Sequence, residues 1–360
     1  MGKLSGIKVV DLTQFLPGPV MTMMMADQGA EVIKIEPAAG DPARAQAPYE
    51  AGHSVWFGNC NRGKRSLMLD LKSAEGKAAL KDLCRSADVF VEGFRPGVMA
   101  RLGFDYAAVR ALNPRIVYCS ISAFGQSGAL AHHPAHDMAV QAHSGFLSVN
   151  DGPDGVPVVP GVPAADMAAG LTALSAVLMA LLGRAQSGEG DYVDIAMFDS
   201  LLPWSAHLAG ESLGGGVSPR SATQRSLGGA ALYQVYSTSD GRQIVLAGRE
   251  PKFARALLSA LEREDLLAFA EAEAGAQAPL IAFLRETFVM RTRDEWVAWF
   301  EGRDIAFAPV LDFTEAFASD HVAERGLVVA AGGAHHLAPP IRFAGEAPWQ
   351  PGKIPELDHG

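Results

Sequence analysis

Short apolar runs alternate with helix-like stretches along the first third of this chain, and that alternation narrows the fold more than any other feature. "IKVVDL" (7–12), "AEVIKIE" (30–36), "DVFVEGF" (88–94) and "RIVYCSISAFG" (115–125) are β-branched and apolar, the pattern of buried strands. Between them, "PGPVMTMMMADQG" (17–29) reads as a helix, with Pro17 and Pro19 at its start and Gly29 at its stop. Met21, Met23, Met24 and Met25 are expected as core filler on that helix. "SAEGKAALKDLCRSA" (73–87) is amphipathic with Ser73 as its N-cap, and "PGVMARLG" (96–103) and "YAAVRALN" (106–113) add two more helices. Strand and helix in series build a parallel sheet with right-handed crossovers, an α/β fold. Such sheets bind ligands at the carboxyl ends of their strands, so "TQFLPGP", "EPAAGDPAR", "EGFRPG" and "SAFGQSG" are where chemistry is expected.

The second half reads differently. "MAAGLTALSAVLMALLGRAQSGEG" (167–190) is a long apolar helix; its apolar stretch is short for a membrane span, and burial is the expectation. A strand and helix follow in 191–210, then a Gly- and Ser-rich stretch at 213–229 that reads as a linker. "AALYQVYSTSDGRQIVLAG" (230–248) has the pattern of a hairpin turning at Asp240-Gly241, with helices after it. The expected division is a large domain over 1–212, completed by about 325–360, and a smaller α+β domain over 230–324. At 360 residues and 49% hydrophobic composition, two lobes suit the length. A net charge of −10 argues against nucleic-acid or anionic-membrane partners. Cys60, Cys84 and Cys119 form neither a zinc pattern nor a disulfide framework, and no signal peptide is read at the N-terminus, so a reducing cytoplasm is expected.

Four motifs carry candidate chemistry. Basic residues gather in "NRGKRSLMLDLK" (Arg62, Lys64, Arg65), which suits a phosphorylated ligand or, equally, a solvated face, and in "EGFRPGVMARLG" (Arg95, Arg101), where Arg95, after a strand and between Gly93 and Gly97, favours ligand binding. Neither a P-loop nor a G-x-G-x-x-G turn is present, so nucleotide-triphosphate and dinucleotide readings lack support. "HHPAHD" places His132, His133, His136 and Asp137 together, but Pro134 keeps the histidines off one helix face, and no metal site is expected. His132 and His133 read as loop, His136 as the entry to a helix, and Asp137 as that helix's cap. In "GVPAADMAAG", Asp166 meets the start of the long helix, either as an N-cap or as a base or nucleophile. Glu250 in "LAGREPKF" follows a strand and means little alone.

Taken together, "GAEVIKIEP", "NRGKRSLMLDLK", "VFVEGFRPGVMARLG" and "SGEGDYVDIAMFDS" resemble the family III CoA-transferases, the group that also holds the α-methylacyl-CoA racemases. The resemblance implies an open Rossmann-like large domain, a small domain, and two chains interlocked as a homodimer. It implies an acyl-CoA substrate, with coenzyme A as part of that substrate and no permanently bound cofactor. Arg62, Lys64, Arg65, Leu69, Arg95, Arg101, Phe124 and Gly125 would then lie near CoA, and Gly228 and Gly229 in a loop near the thioester. In the transferases the residue matching Asp166 is a covalent nucleophile. In the racemases the residues matching His136 and Asp166 exchange the α-proton, with Glu250 tuning the histidine. Where the oxalate-using transferases carry a glutamine, this chain has Leu16. The sequence reading puts epimerisation of a 2-methylacyl-CoA first, CoA transfer between carboxylic acids second, and a non-catalytic CoA-binding protein third.

Overall fold

Strand β1 (Lys8–Leu12) is buried along Val9 to Leu12 and is flanked on both sides by parallel neighbours. The computed structural model describes residues 2–152, 154–221 and 223–358. After β1 come α1 (Pro17–Asp27), β2 (Glu31–Glu36), β3 (Arg65–Met68), α2 (Ala74–Ser86), β4 (Val89–Glu92), α3 (Val98–Leu102), α4 (Tyr106–Leu112), β5 (Val117–Ser122), α5 (Asp137–His143), α6 (Ala164–Ser187) and β6 (Tyr192–Ala196). The six strands form one parallel sheet in the order β3-β2-β1-β4-β5-β6. This is the doubly wound Rossmann-like order, reversing direction between β1 and β4. Every strand and helix expected in the first half is present. Ser73 caps α2, its hydroxyl accepting from the Gly76 N–H at 2.9 Å. Met21, Met23 and Met25 are buried under α1 as core filler, and Cys60, Cys84 and Cys119 are buried free thiols.

Helix α6 differs from its expectation. It packs one face on the sheet, where Ala165, Ala168, Ala169, Ala173 and Val177 are fully buried. The opposite face is open: Met179 and Leu182 are each 70% exposed. Length and composition alone would let this helix cross a membrane. Yet Arg184, near its end, is buried against the sheet and paired with Asp88 at 2.8 Å.

The chain divides into two compact units. The first is Met1–Phe146, Val159–Trp204 and Asp320–Gly360; the second is Leu147–Val158 and Ser205–Ser319. The chain therefore changes unit at Trp204–Ser205, and the stretch read as a linker, 213–229, is internal to the second unit. Its first residues close helix α7 (Ala206–Gly215). The second unit carries an antiparallel sheet of β7 (Tyr233–Ser237), β8 (Gln243–Ala247) and β9 (Phe307–Pro309), with β8 central. Helices α8 (Pro251–Ala260), α9 (Ala278–Phe288) and α10 (Arg293–Phe300) contribute to its core, which buries Tyr236, Leu257, Leu284, Phe288 and Trp296. The Asp240-Gly241 turn is present, with Gly241 at φ +74°.

Candidate active site

The crevice of a doubly wound sheet opens where strand order reverses, here beyond the carboxyl ends of β1 and β4. Beyond β1 the segment Thr13–Pro17 is pinned from below by buried charge. Asp11 Oδ1 accepts from the Thr13 N–H at 2.8 Å and from its hydroxyl at 2.5 Å. Lys34 Nζ donates to the Thr13 carbonyl at 2.7 Å and pairs with Asp41 at 2.8 Å, both side chains fully buried. Burial alone would raise the Asp11 carboxyl, but Lys64 and Lys34 outweigh it and hold the group below the usual carboxylate range. Beyond β4, Arg95 is exposed and borders an open cleft of about 350 Å3 whose lining includes Glu92, Tyr106, Gln126 and Tyr192.

Asp166 is the third residue of α6, whose N-cap position is held by Pro163. It is therefore not the cap. Its carboxylate accepts no hydrogen bond among the described residues, and burial, followed by the charge of Asp137, pushes its pKa up to about 7. The capping is done from elsewhere. Asp137 Oδ1 accepts from the backbone N–H of Ala165 at 2.7 Å and of Asp166 at 3.1 Å. Its other oxygen takes the Gln141 amide at 2.6 Å. Asp137 was expected to cap its own helix, α5; it stands at that helix's first position and caps α6 instead, because the two N-termini converge. His136 is the α5 N-cap, with no side-chain capping bond, and its exposed ring meets Phe15 edge-on at 6.1 Å. The convergence of α5 and α6 thus joins His136 and Asp166 through one carboxylate. The other histidines part company: His133 packs with Phe124 and His143, not with His136.

The first basic cluster needs correction. Arg62 is 1% exposed, pairs with Asp27 at 2.7 Å and lies over Trp349. Lys64 is buried, and its three N–H bonds are spent on Asp11 Oδ2, the Pro19 carbonyl and Asn61 Oδ1, at 3.0, 3.0 and 2.8 Å. Neither has a donor turned outward for a phosphate; Lys64 holds the β1–α1 turn, and Arg62 holds the far end of α1 through Asp27. Arg65 is exposed, but it opens β3 at the amino end, a strand length of ~13 Å from the carboxyl edge. Leu69 stands at that edge, its N–H donating to the Glu36 carbonyl at 2.9 Å. Arg101 is exposed, and its guanidinium folds back to within 3.4 Å of where a side chain on Gly97 would begin. Phe124 turns into the core against Phe198, while Gly125, at φ +81°, carries the backbone round toward Asp194.

The second unit gathers its own candidates. Gly228 lies at φ +88°, and a Cβ on Gly229 would fall 2.8 Å from the Gln224 carbonyl oxygen, so this turn requires glycine at both places. Arg249 donates to Ser226 Oγ at 2.9 Å, tying the glycine turn to the end of β8. Glu250 follows Arg249, exposed, as the N-cap of α8 and without a side-chain capping bond.

Sequence reasoning missed Asp11, Lys34 and Asp41, which brace the crevice, and Phe15, which enters it at φ +65°. The acid near the end of "IKVVDL" was the visible signal for Asp11. A family profile described as CoA-transferase family III matches residues 4–359. A succinate–glutarate CoA-transferase of Agrobacterium fabrum is 36% identical, covering 91% of this chain and 84% of that one. The α-methylacyl-CoA racemase of Homo sapiens is 33% identical, covering 90% and 81%. A crystal structure of a CAIB/BAIF family protein from Brucella suis superposes with a TM-score of 0.83 at 32% identity, covering 96% and 93%.

Proposed function

This chain belongs to CoA-transferase family III and is therefore an acyl-CoA enzyme; within that chemistry, we propose that it passes CoA from an acyl-CoA to a carboxylic acid through Asp166. One observation carries the reading: a half-buried carboxylate in the first turn of a helix with no hydrogen bond to blunt it among the described residues. A carboxylate is a weak nucleophile, and loss of water and of donors strengthens it. An Asp166 oxygen attacks the thioester carbonyl carbon, the C–S bond breaks, and CoA leaves as thiolate from a mixed anhydride. The thiolate then attacks the aspartyl carbonyl, releasing the donor acid and leaving an aspartyl-CoA thioester. An incoming acid attacks that thioester, and the same two steps in reverse form the new acyl-CoA. The Agrobacterium relative points to a short dicarboxylic acid as acceptor.

This reverses the order read from the sequence. Epimerisation needs His136 as a base with a charge partner, and within its own unit the ring meets the edge of Phe15 instead. Transfer needs only Asp166. Epimerisation remains the second reading, favoured by the convergence of His136 with Asp166 through Asp137. We also propose a second copy of the chain as the partner for the open face of α6.

The two readings part in one experiment. The protein is incubated with a single epimer of a 2-methylacyl-CoA in deuterated water, with and without glutarate, and with hydroxylamine in a parallel sample. Transfer predicts CoA on glutarate, a hydroxamate at Asp166 by peptide mass spectrometry, and no deuterium at the α-carbon. Deuterium at that carbon in the absence of acceptor, with no hydroxamate, would establish epimerisation instead.

A further inference from the structure

Phe15 is a non-glycine residue in the left-handed region, at φ +65°, and is 39% exposed. A bulky side chain resists that conformation, and such residues persist where the surroundings over-determine them. Here they do. The residue two before it is held by Asp11 and Lys34, its own N–H reaches Asp41 Oδ1 at 3.4 Å, and Leu16 opens α1 by accepting from the Val20 N–H at 2.9 Å. The segment is also locked against α6: a Cβ on Gly170 would lie 2.8 Å from the Pro17 carbonyl oxygen. Gly170 is four residues after Asp166, so both lie on the face of α6 that meets this segment. The ring itself abuts His136. A rigid apolar ring is thus held out of the core, beside His136 and at the face of α6 that carries Asp166. The fold has no structural use for it there, since a smaller or more permissive residue would relax the backbone.

We infer that Phe15 is a specificity-determining residue, a fixed wall that limits the acyl chain on Asp166 to short lengths. The inference rests on the transfer reading for its assay. Because the backbone is braced from below, the ring's point of attachment is fixed, and chain length is read sterically.

Phe15→Gly removes the ring and relieves the left-handed strain; Phe15→Asn removes it with a residue that tolerates that conformation. Specific rates are measured for acetyl-, butyryl-, hexanoyl- and octanoyl-CoA with one common acceptor acid. The octanoyl-to-acetyl ratio of kcat/KM is expected to rise at least tenfold in both variants, with the thermal midpoint equal to or above that of the parent. A ratio within twofold of the parent in a folded variant overturns the inference, as does a uniform fall across all four chain lengths. If the parent protein transfers CoA to no acid, the transfer reading has failed separately. The same chain-length ratio is then taken from α-deuterium uptake and judged by the same limits.

Discussion

At the scale of single residues, the burial of Asp166, with the charge of Asp137 beside it, sets how the site responds to pH. Burial first and Asp137 second raise Asp166 from an ordinary 3.8 to about 7. A group raised on folding binds its proton more tightly in the folded state. Its contribution to stability is complete below pH 3.8 and is lost as pH rises through 7. Asp166→Asn, which cannot ionise, is therefore expected to be more stable than the parent at pH 8, by up to about 4 kcal/mol, with the gap closing toward pH 4. The same variant loses transfer by roughly 10³-fold or more, as expected when a covalent nucleophile is removed. Transfer needs the ionised form, so kcat/KM for the parent rises with pH and levels above 7. Asp137→Asn keeps an oxygen for the α6 N–H groups but removes the charge. Its pH–rate profile should shift to lower pH, while circular dichroism stays that of the parent. A profile that does not move would show that Asp137 caps the helix without tuning its neighbour.

At the scale of elements, the β1–α1 turn depends on charges that look like ligand contacts in the sequence. Lys64 is buried, and burial, working against the pull of Asp11, lowers its pKa to about 8. Lys64→Met leaves Asp11 buried with one cationic partner fewer. It is expected to destabilise the protein by about 3 kcal/mol in urea unfolding. A rise in KM for acyl-CoA at unchanged stability would restore Lys64 to phosphate binding. This turn also shows what the sequence could and could not disclose. Strands buried on both faces read as unbroken apolar runs, so β1, β2, β4 and β5 were legible from Val, Ile and Phe alone. The Ser73 cap and the proline start of α1 were legible because their signals are local. Lys64 was not, since its partner Asp11 lies 53 residues away, nor was Arg62, whose partner Asp27 lies 35 away. Asp137 illustrates the same limit inside the site. Its residue type and its place at a helix start were visible, but its bond spans 28 residues to another helix. Asp166 and His136 stood out from their places at helix starts, but it was the family resemblance, not spacing, that joined them in one site.

At the scale of the whole molecule, α6 poses the remaining physical question. Leu171, Met179 and Leu182, together with Ser175, follow one another at helical spacing and are all exposed in the single chain. An apolar stripe of this length in water is costly unless something covers it. A bilayer is a poor fit, because the sheet-facing side of the same helix is already committed to protein. Arg184 donates to the Asp88 carboxylate and to the Arg115 carbonyl, and Gly170 admits the Pro17 carbonyl. The proposed second copy of the chain would cover the stripe without breaking any of these contacts. Light scattering after gel filtration should then report twice the mass of the 360-residue chain at micromolar concentration. Met179→Glu with Leu182→Glu puts two charges on the stripe and should shift the protein toward monomer, or toward aggregate at high concentration. The substituted residues lie more than three helical turns beyond Asp166, so a loss of transfer that tracks the loss of dimer would mean that the site is complete only in the pair. A parent protein that elutes as a monomer at all concentrations, yet transfers CoA, would leave the stripe to some other cover and remove the second chain from the mechanism.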